Sequence, residues 1–407
     1  MHRQLLVVAL FLSALGGPCI ATARPASTEH VVQEVVLVRH GIRSPTAAPD
    51  ALAVYASQPW PAWEVAPGQL TQHGGVLMRS WGAWYRQHLA NEGLALAGCG
   101  STRVIADSTP RNRDSAAALL HGFAADCAGT YDALAPDLPD PLFHGVGKEK
   151  KESDKGSPTF SPAALATLQN VLLGCTDQAC LKEAQTKGKT VLMLEPPAKA
   201  LKQAGSLSEN LMLEYVQGMP PAQVGWGRAD AGTIARMIVL HNDSFAFTAK
   251  APDAARARSG NMLAHITATL RAAAHTSPGI PTLASHSQRQ VILVGHDTDL
   301  ASEAGLLQLD WHNTTQTDDY PPGGALIYQL IERHGKYVVR LFAAQPTLTA
   351  LRNGNVEHDD AMVVTPLALP ACDNQRECPL SRFGAIVDQA VGTSFVVPTS
   401  GDEPVVE

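Results

Sequence analysis

Between Val31 and Val38 the chain reads VVQEVVLV, almost wholly apolar and rich in β-branched residues. This is the pattern of a strand buried on both faces of a largely parallel sheet. The strand runs straight into Arg39-His40-Gly41. The same pattern returns at VILV, Val291 to Val294, which runs into Gly295-His296-Asp297. A shorter strand is predicted over Val104 to Ala106, followed by the loop Asp107-Ser108-Thr109-Pro110-Arg111 and a helix starting near Asn112. Ligand sites in α/β sheets form at the carboxyl ends of strands, so these endings can meet in one crevice.

Helical periodicity is clear from Gly74 to Leu89, where Leu77, Trp81, Trp84 and Tyr85 recur at spacings of three and four. Such an aromatic stripe is core packing. From about Asp137 to Ala249 the strand pattern disappears. A Pro-rich stretch and the solvated loop KEKKESDKGSP (148–158) lead into predicted helices over 161–174, 207–218 and 230–249. Ser206 and Glu209 have the spacing of a capping box at the start of the second of these. A long helix over 253–275 then leads back to the VILV strand, followed by a hairpin around His334-Gly335-Lys336 and a polar tail. The expected architecture is an α/β domain formed by residues 24–145 and 251–407, interrupted by a mainly α-helical domain at 146–250, with the site between them.

Composition supports a folded chain of this size. Its 407 residues are 45% hydrophobic and only 17% charged, enough to bury a large core. At the N-terminus His2 and Arg3 precede an apolar run from Leu5 to Leu15 and the small-residue triplet Ala21-Thr22-Ala23, which reads as a cleaved secretory signal at 1–23. No stretch reaches the length of about 20 apolar residues needed for a membrane span. Loss of the signal removes Arg3 and no acid, leaving 30 Lys and Arg against 38 Asp and Glu, a net of −8. That balance argues against a nucleic-acid partner. Cys19 would leave with the signal, and the six remaining cysteines suit three disulfides in an oxidising, periplasmic or secreted location. Cys175 with Cys180 and Cys372 with Cys378 can close small loops, which leaves Cys99 for Cys127.

The chemistry concentrates in Arg39-His40-Gly41-Ile42-Arg43-Ser44-Pro45-Thr46. A neutral imidazole is a good nucleophile toward phosphorus, and guanidinium forks match phosphate oxygens bidentately. The arginines also disfavour a second positive charge on the histidine and stabilise the charge that develops on a transferring phosphoryl group. No Walker loop, dinucleotide fingerprint or His-Glu-x-x-His zinc motif is present, and Glu357-His358-Asp359-Asp360 reads as a solvated loop, so neither metal nor organic cofactor is expected.

RHGIRSPT (39–46) and GHDTDLA (295–301) resemble the paired signatures of the histidine acid phosphatase family, in order and separation. DSTPRNR (107–113), QGMPPAQVGWGR (217–228) and PPGG (321–324) resemble further segments of its bacterial periplasmic phytases and glucose-1-phosphatases, so the similarity covers nearly the whole mature chain. The resemblance implies the phosphoglycerate-mutase-like α/β fold with a helical insertion. It implies His40 as nucleophile, Arg39, Arg43, Arg111 and His296 as phosphate ligands, and Asp297 as proton donor, kept neutral at low pH. It also implies that Thr46, Asp107, Met219, His241 and Arg258 face the rest of the substrate. Ala47 and Asp299 depart from the phytase pattern, which has Lys and Asn there, and Ala47 removes a cation useful for a polyphosphorylated ring. The expectation is a monomeric acid phosphatase that works through a phosphohistidine and accepts phytate. The alternatives are a glucose-1-phosphatase, a mutase-like phosphotransferase and a non-catalytic phosphate-binding protein.

Overall fold

The computed structural model of the chain describes residues 29–94, 100–125, 130–136, 138–146, 156–358 and 360–398. The signal segment, the Cys99–Cys127 pair and most of the lysine-rich loop lie outside these residues. In chain order the elements begin with strand β1 (Glu29–Arg39), the short helix α1 (Pro49–Leu52), α2 (Gln72–Asn91), β2 (Thr102–Ala106), α3 (Pro110–Phe123) and the one-turn α4 (Pro141–His144). Helices α5 (Pro162–Leu173), α6 (Gln178–Thr186), α7 (Pro197–Val216), α8 (Ala231–Met237), α9 (Val239–Thr248) and α10 (Pro252–Ala273) follow without an intervening strand among the described residues. Then come β3 (Gln290–Gly295), α11 (Asp297–Leu307), β4 (Ala325–Arg333), β5 (Lys336–Pro346), α12 (Leu348–Asn353), β6 (Met362–Leu367), β7 (Glu377–Pro379) and α13 (Leu380–Val391).

The strands form one mixed sheet in the order β2-β3-β1-β4-β5-β6, with β7 added to β5. Strands β2, β3 and β1 are parallel, whereas β4 and those beyond it run antiparallel. Alternation along the central strands divides the core. Val36, Val38, Ile292 and Val294 point into the apolar cluster of Leu77, Trp81 and Leu119 on α2 and α3, while Val35, Leu37, Val291 and Leu293 face Met262, Leu263, Ala304 and Phe383 on α10, α11 and α13. Both faces of β1 and β3 are therefore buried, as their uninterrupted apolar runs require. The first cluster continues into the helical insertion through Leu168, Leu201 and Leu211, so the insertion packs onto the α2–α3 side of the sheet.

Three expectations are corrected. Helix α7 starts a full ten residues before 207, with Pro197 at its first position, and Ser206 is an exposed mid-helix residue instead of a cap. The 230–249 segment breaks into two helices at Ile238. The region after the β4–β5 hairpin is no polar tail: β6 and β7 extend the sheet, and α13 buries Phe383, Val387 and Val391. Disulfides join Cys175 to Cys180 and Cys372 to Cys378. No helix among the described residues is long and apolar enough to cross a membrane.

Candidate active site

Strand register brings the three polar endings together. Arg39 pairs with Gly295, and Ala106 with Val294. The His40 amide then donates to Gly295 O at 3.0 Å and the Asp107 amide to Val294 O at 3.0 Å, so His40, His296 and Asp107 leave adjacent strands at one level. Gly41 makes the next step possible: a Cβ there would lie 2.6 Å from Gly74 O and 2.8 Å from Met78 Cγ on α2. The PPGG turn clasps the same backbone, with the Arg39 amide donating to Gly324 O at 2.9 Å.

His40 is almost fully buried. Its Nδ1 lies 2.8 Å from Gly41 O. A carbonyl oxygen can only accept, so Nδ1 carries the proton, and in the neutral ring the lone pair resides on Nε2. Burial, then Arg111, Arg39, Arg43 and His296 around it, hold this imidazole well below the ordinary histidine pKa. The ring of His296 stands edge-on, 5.7 Å away between centroids.

The cations are held by carboxylates. Arg39 donates to Tyr320 O and Glu209, and its Nη2 lies 2.8 Å from Asp297 Oδ2. Arg43 Nη2 reaches both oxygens of Glu209 at 3.0 Å. Arg111 Nη2 approaches His296 Nδ1 at 3.2 Å. Burial pushes the Asp297 carboxyl up, but Arg39, His241, Arg43 and His40 outweigh it and leave the group well below the usual carboxylate range. The same opposition, with Arg43 and Arg39 prevailing over burial, keeps Glu209 ionised. In the free site the Arg39 contact thus favours the ionised form of Asp297. It is also the first residue of α11 and not its cap; His296 holds the cap position, and Asp299, the third residue of the helix, accepts from the His296 amide at 2.8 Å.

The remaining candidates separate. Thr46 is exposed beside Gly68 and Arg111. Arg258, half-buried on α10, acts electrostatically on Asp299. Asp107 does not face the substrate. It is fully buried, and its Oδ2 accepts from His296 Nε2 and Thr109 Oγ1, both at 2.8 Å, so it orients His296 instead. His241 is buried with Nδ1 3.0 Å from Asp318, and lies within the group formed with Glu209 and Asp297. Met219 belongs to the apolar cluster, with its carbonyl held by Arg352 at 3.0 Å, and is a packing residue. Asp299 is buried as well, so its departure from the phytase pattern lies out of reach of a substrate.

Sequence reasoning missed Glu209 as a site residue, together with Asp318, Asn112 and His144. The signal for Glu209 was an acid on an otherwise apolar helix face, which needs a cation once buried. Glu209, His241 and Asp297 lie close enough together to resemble a metal site. Arg39 and Arg43 already neutralise both carboxylates, and their charges would repel a divalent cation.

A buried neutral histidine inside a cage of arginines at the carboxyl ends of parallel strands is a constellation for phosphoryl chemistry, and comparison with known proteins agrees. The family described as the histidine phosphatase superfamily (branch 2) matches residues 30–195. Phytase AppA of Escherichia coli (strain K12) is 29% identical over 88% of this chain and 91% of its own length. A glucose-1-phosphatase of Salmonella typhimurium is 26% identical over 96% of this chain and all of its own. Among solved structures, Hafnia alvei phytase in complex with myo-inositol hexakis sulphate superposes with a TM-score of 0.78 at 25% identity, covering 92% of this chain and 100% of that one. The chain is similar to the histidine phosphatase superfamily over residues 30–195 and to acid-phosphatase relatives over most of its length. It is a hydrolase with the α/β core and helical insertion of that family.

Proposed function

We propose that the protein hydrolyses phosphate monoesters in acid through a phosphohistidine on His40, and that phytate is among its substrates. The observation that carries this reading is the 2.8 Å hydrogen bond from His40 Nδ1 to Gly41 O, which leaves Nε2 as the nucleophilic atom inside the arginine cage. Nε2 attacks phosphorus while the bond to the ester oxygen breaks, and Asp297 transfers a proton to the departing alkoxide. Water then adds to phosphorus, gives its proton to Asp297, and the N–P bond breaks to release phosphate. Arg39, Arg43, Arg111 and His296 hold the phosphoryl oxygens throughout.

Asp297 acquires its proton when substrate binds. A phosphate among the guanidiniums takes over their charge and places negative charge beside the carboxylate, and both changes raise its proton affinity. Phytate is favoured by the similarity to phytases along most of the chain. The half-buried Ala47 supplies no cation at the rim, so a second phosphate must be met by other cations such as Arg258. The glucose-1-phosphatase relative keeps sugar phosphates as the second reading. The signal-like residues 1–23 and the two disulfides support export of the enzyme to the periplasm or beyond.

The test is rapid-quench labelling with a ³²P ester at pH 4.5. Asp297→Asn should accumulate an acid-labile, alkali-stable label that His40→Ala lacks, and His40→Ala should lose at least about 10³-fold in kcat. Wild-type turnover by His40→Ala would refute the mechanism. A kcat/KM for glucose-1-phosphate well above that for phytate would move the protein to the second reading.

A further inference from the structure

Asp107 is fully buried, yet its hydrogen bonds are divided unequally. Oδ2 is taken by His296 Nε2 at 2.8 Å, Thr109 Oγ1 at 2.8 Å and, at 3.3 Å, by the Thr109 amide and Asn112 Nδ2. Oδ1 is taken by His144 Nε2 at 2.8 Å. His144 is placed for this by two backbone constraints. Asp140 caps α4 by accepting from the Leu142 amide at 2.9 Å, and Gly145 turns away at φ 65° where a Cβ would strike Ala257 O on α10. The His144 side chain is 39% exposed, and its ring centroid lies 6.1 Å from that of His296. A solvent-facing imidazole is thereby joined through one buried carboxylate to the histidine that faces the phosphate.

We propose that His144 is a positioning residue for His296: by donating to Asp107 Oδ1 it fixes the carboxylate that orients the phosphate-binding ring, so that the enzyme keeps its grip on phosphate in acid. The inference rests on the phosphatase reading of the site. Once ionised, the buried Asp107 must be matched at both oxygens, and an unmatched oxygen makes protonation the easier way out. A proton on Asp107 can displace its acceptor role toward His296 Nε2 and free that ring to rotate. Burial pushes the Asp107 carboxyl up, but the hydrogen bonds from His144 and His296 bring it well below its usual range. In return Asp107, against the effect of burial, raises the His144 pKa, so the ring is cationic at acidic pH. Asp299 on α11 and Asp140 on its own helix act on His144 in the same direction. The other groups around it are the His296 ring, with the Arg111 guanidinium behind that ring, and Arg258 on α10, whose backbone abuts Gly145.

The experiment compares His144→Ala and His144→Gln with wild type, following kcat/KM for p-nitrophenyl phosphate and competitive inhibition by inorganic phosphate from pH 3 to 6.5. His144→Ala should stay within about threefold of wild type at pH 6 and fall behind by a further factor of about ten or more toward pH 3, one pKa unit on Asp107 being a tenfold change. Phosphate inhibition should weaken in parallel. The glutamine amide, a neutral donor, should recover part of the acid limb. An Ala profile parallel to wild type at every pH would overturn the proposal, because a purely structural loss lowers activity without moving the limb. If the alanine variant does not fold, the wild-type protein decides. His144, assigned in histidine ¹³C spectra by its absence from His144→Gln, should titrate above the ordinary value of about 6.5, and a lower midpoint would sink the idea. A wild-type enzyme without phosphatase activity would refute the phosphatase reading itself, whereas parallel profiles would refute only the role of His144.

Discussion

At the scale of single residues, the site is an arrangement of matched charges, and Glu209 is the member whose removal tests that view. It stands between the buried Arg39 and Arg43, close enough to bond both. Withdrawing one partner from a buried ionic group typically costs about 3–5 kcal/mol, because the remaining charges are left uncompensated. Glu209→Gln should therefore lower Tm, and inorganic phosphate should raise the Tm of this variant by more than it raises that of wild type, since the anion now supplies the missing charge. Equal phosphate-induced shifts in the two proteins would show that Glu209 does not balance the cage. His40, His296 and Asp297 were legible because each follows directly on a recognisable buried strand. Glu209 was not, because its spacing from Ser206 invited a local explanation while its partners lie 166 and 170 residues away. Asp107 was legible as polar and near the site, but its role depended on His144 and His296, which only the fold brings to it.

At the scale of elements, strands β1 and β3 and helix α2 followed from periodicity because burial on both faces, or on one stripe, leaves a direct trace in the order of residues. Boundaries set by helix propagation left a weaker one. Helix α7 opens at Pro197, a residue suited to a first turn, and runs through the Ala- and Leu-containing stretch that follows. Ser206 thus lies inside a helix whose hydrogen bonds are already made. Ser206→Ala should change stability by no more than about 0.5 kcal/mol, in the stabilising direction, as helix propensity dictates. Loss of a true cap would cost about 1 kcal/mol, so denaturant unfolding of this one variant separates the two accounts. The C-terminal elements were read as a tail because β7 is three residues long and β6 carries a half-buried threonine and an exposed proline among its apolar positions. Their place is fixed by pairing with β5, which is not a local property.

At the scale of the whole molecule, buried carboxyls suggest a fold suited to acid. Burial raises Glu34 to about 7, Glu214 to about 8 and Asp319 to about 7, and holds Glu303 well above its ordinary value. Each group keeps its proton in the folded chain at a pH where the unfolded chain has released it. Their contribution is therefore fully present below about pH 4 and is lost as pH rises through 7 to 8. Asp107, Asp297 and Glu209 act in the opposite sense: their folded pKa values are depressed, so their contribution is present above the ordinary carboxylate range and lost as pH falls below it. Between the two limbs, Tm should peak near pH 4–5 and decline toward pH 8. Glu34 isolates the alkaline limb. It sits in the core beneath Tyr85, whose hydroxyl donates to Oε1 at 2.5 Å, and Gln329, whose amide donates to Oε2 at 2.7 Å. At about 1.4 kcal/mol per pKa unit, its shift alone corresponds to a loss on the order of 3 kcal/mol between pH 4.5 and 8. Glu34→Gln keeps the shape of the side chain and cannot ionise. Scanning calorimetry from pH 3 to 8 should find its alkaline limb shallower than that of wild type, with the two proteins closest below pH 4.5. A wild-type Tm that climbs from pH 5 to 8 would mean that these carboxyls ionise in place without penalty, and that the acid preference of the chemistry is not shared by the fold.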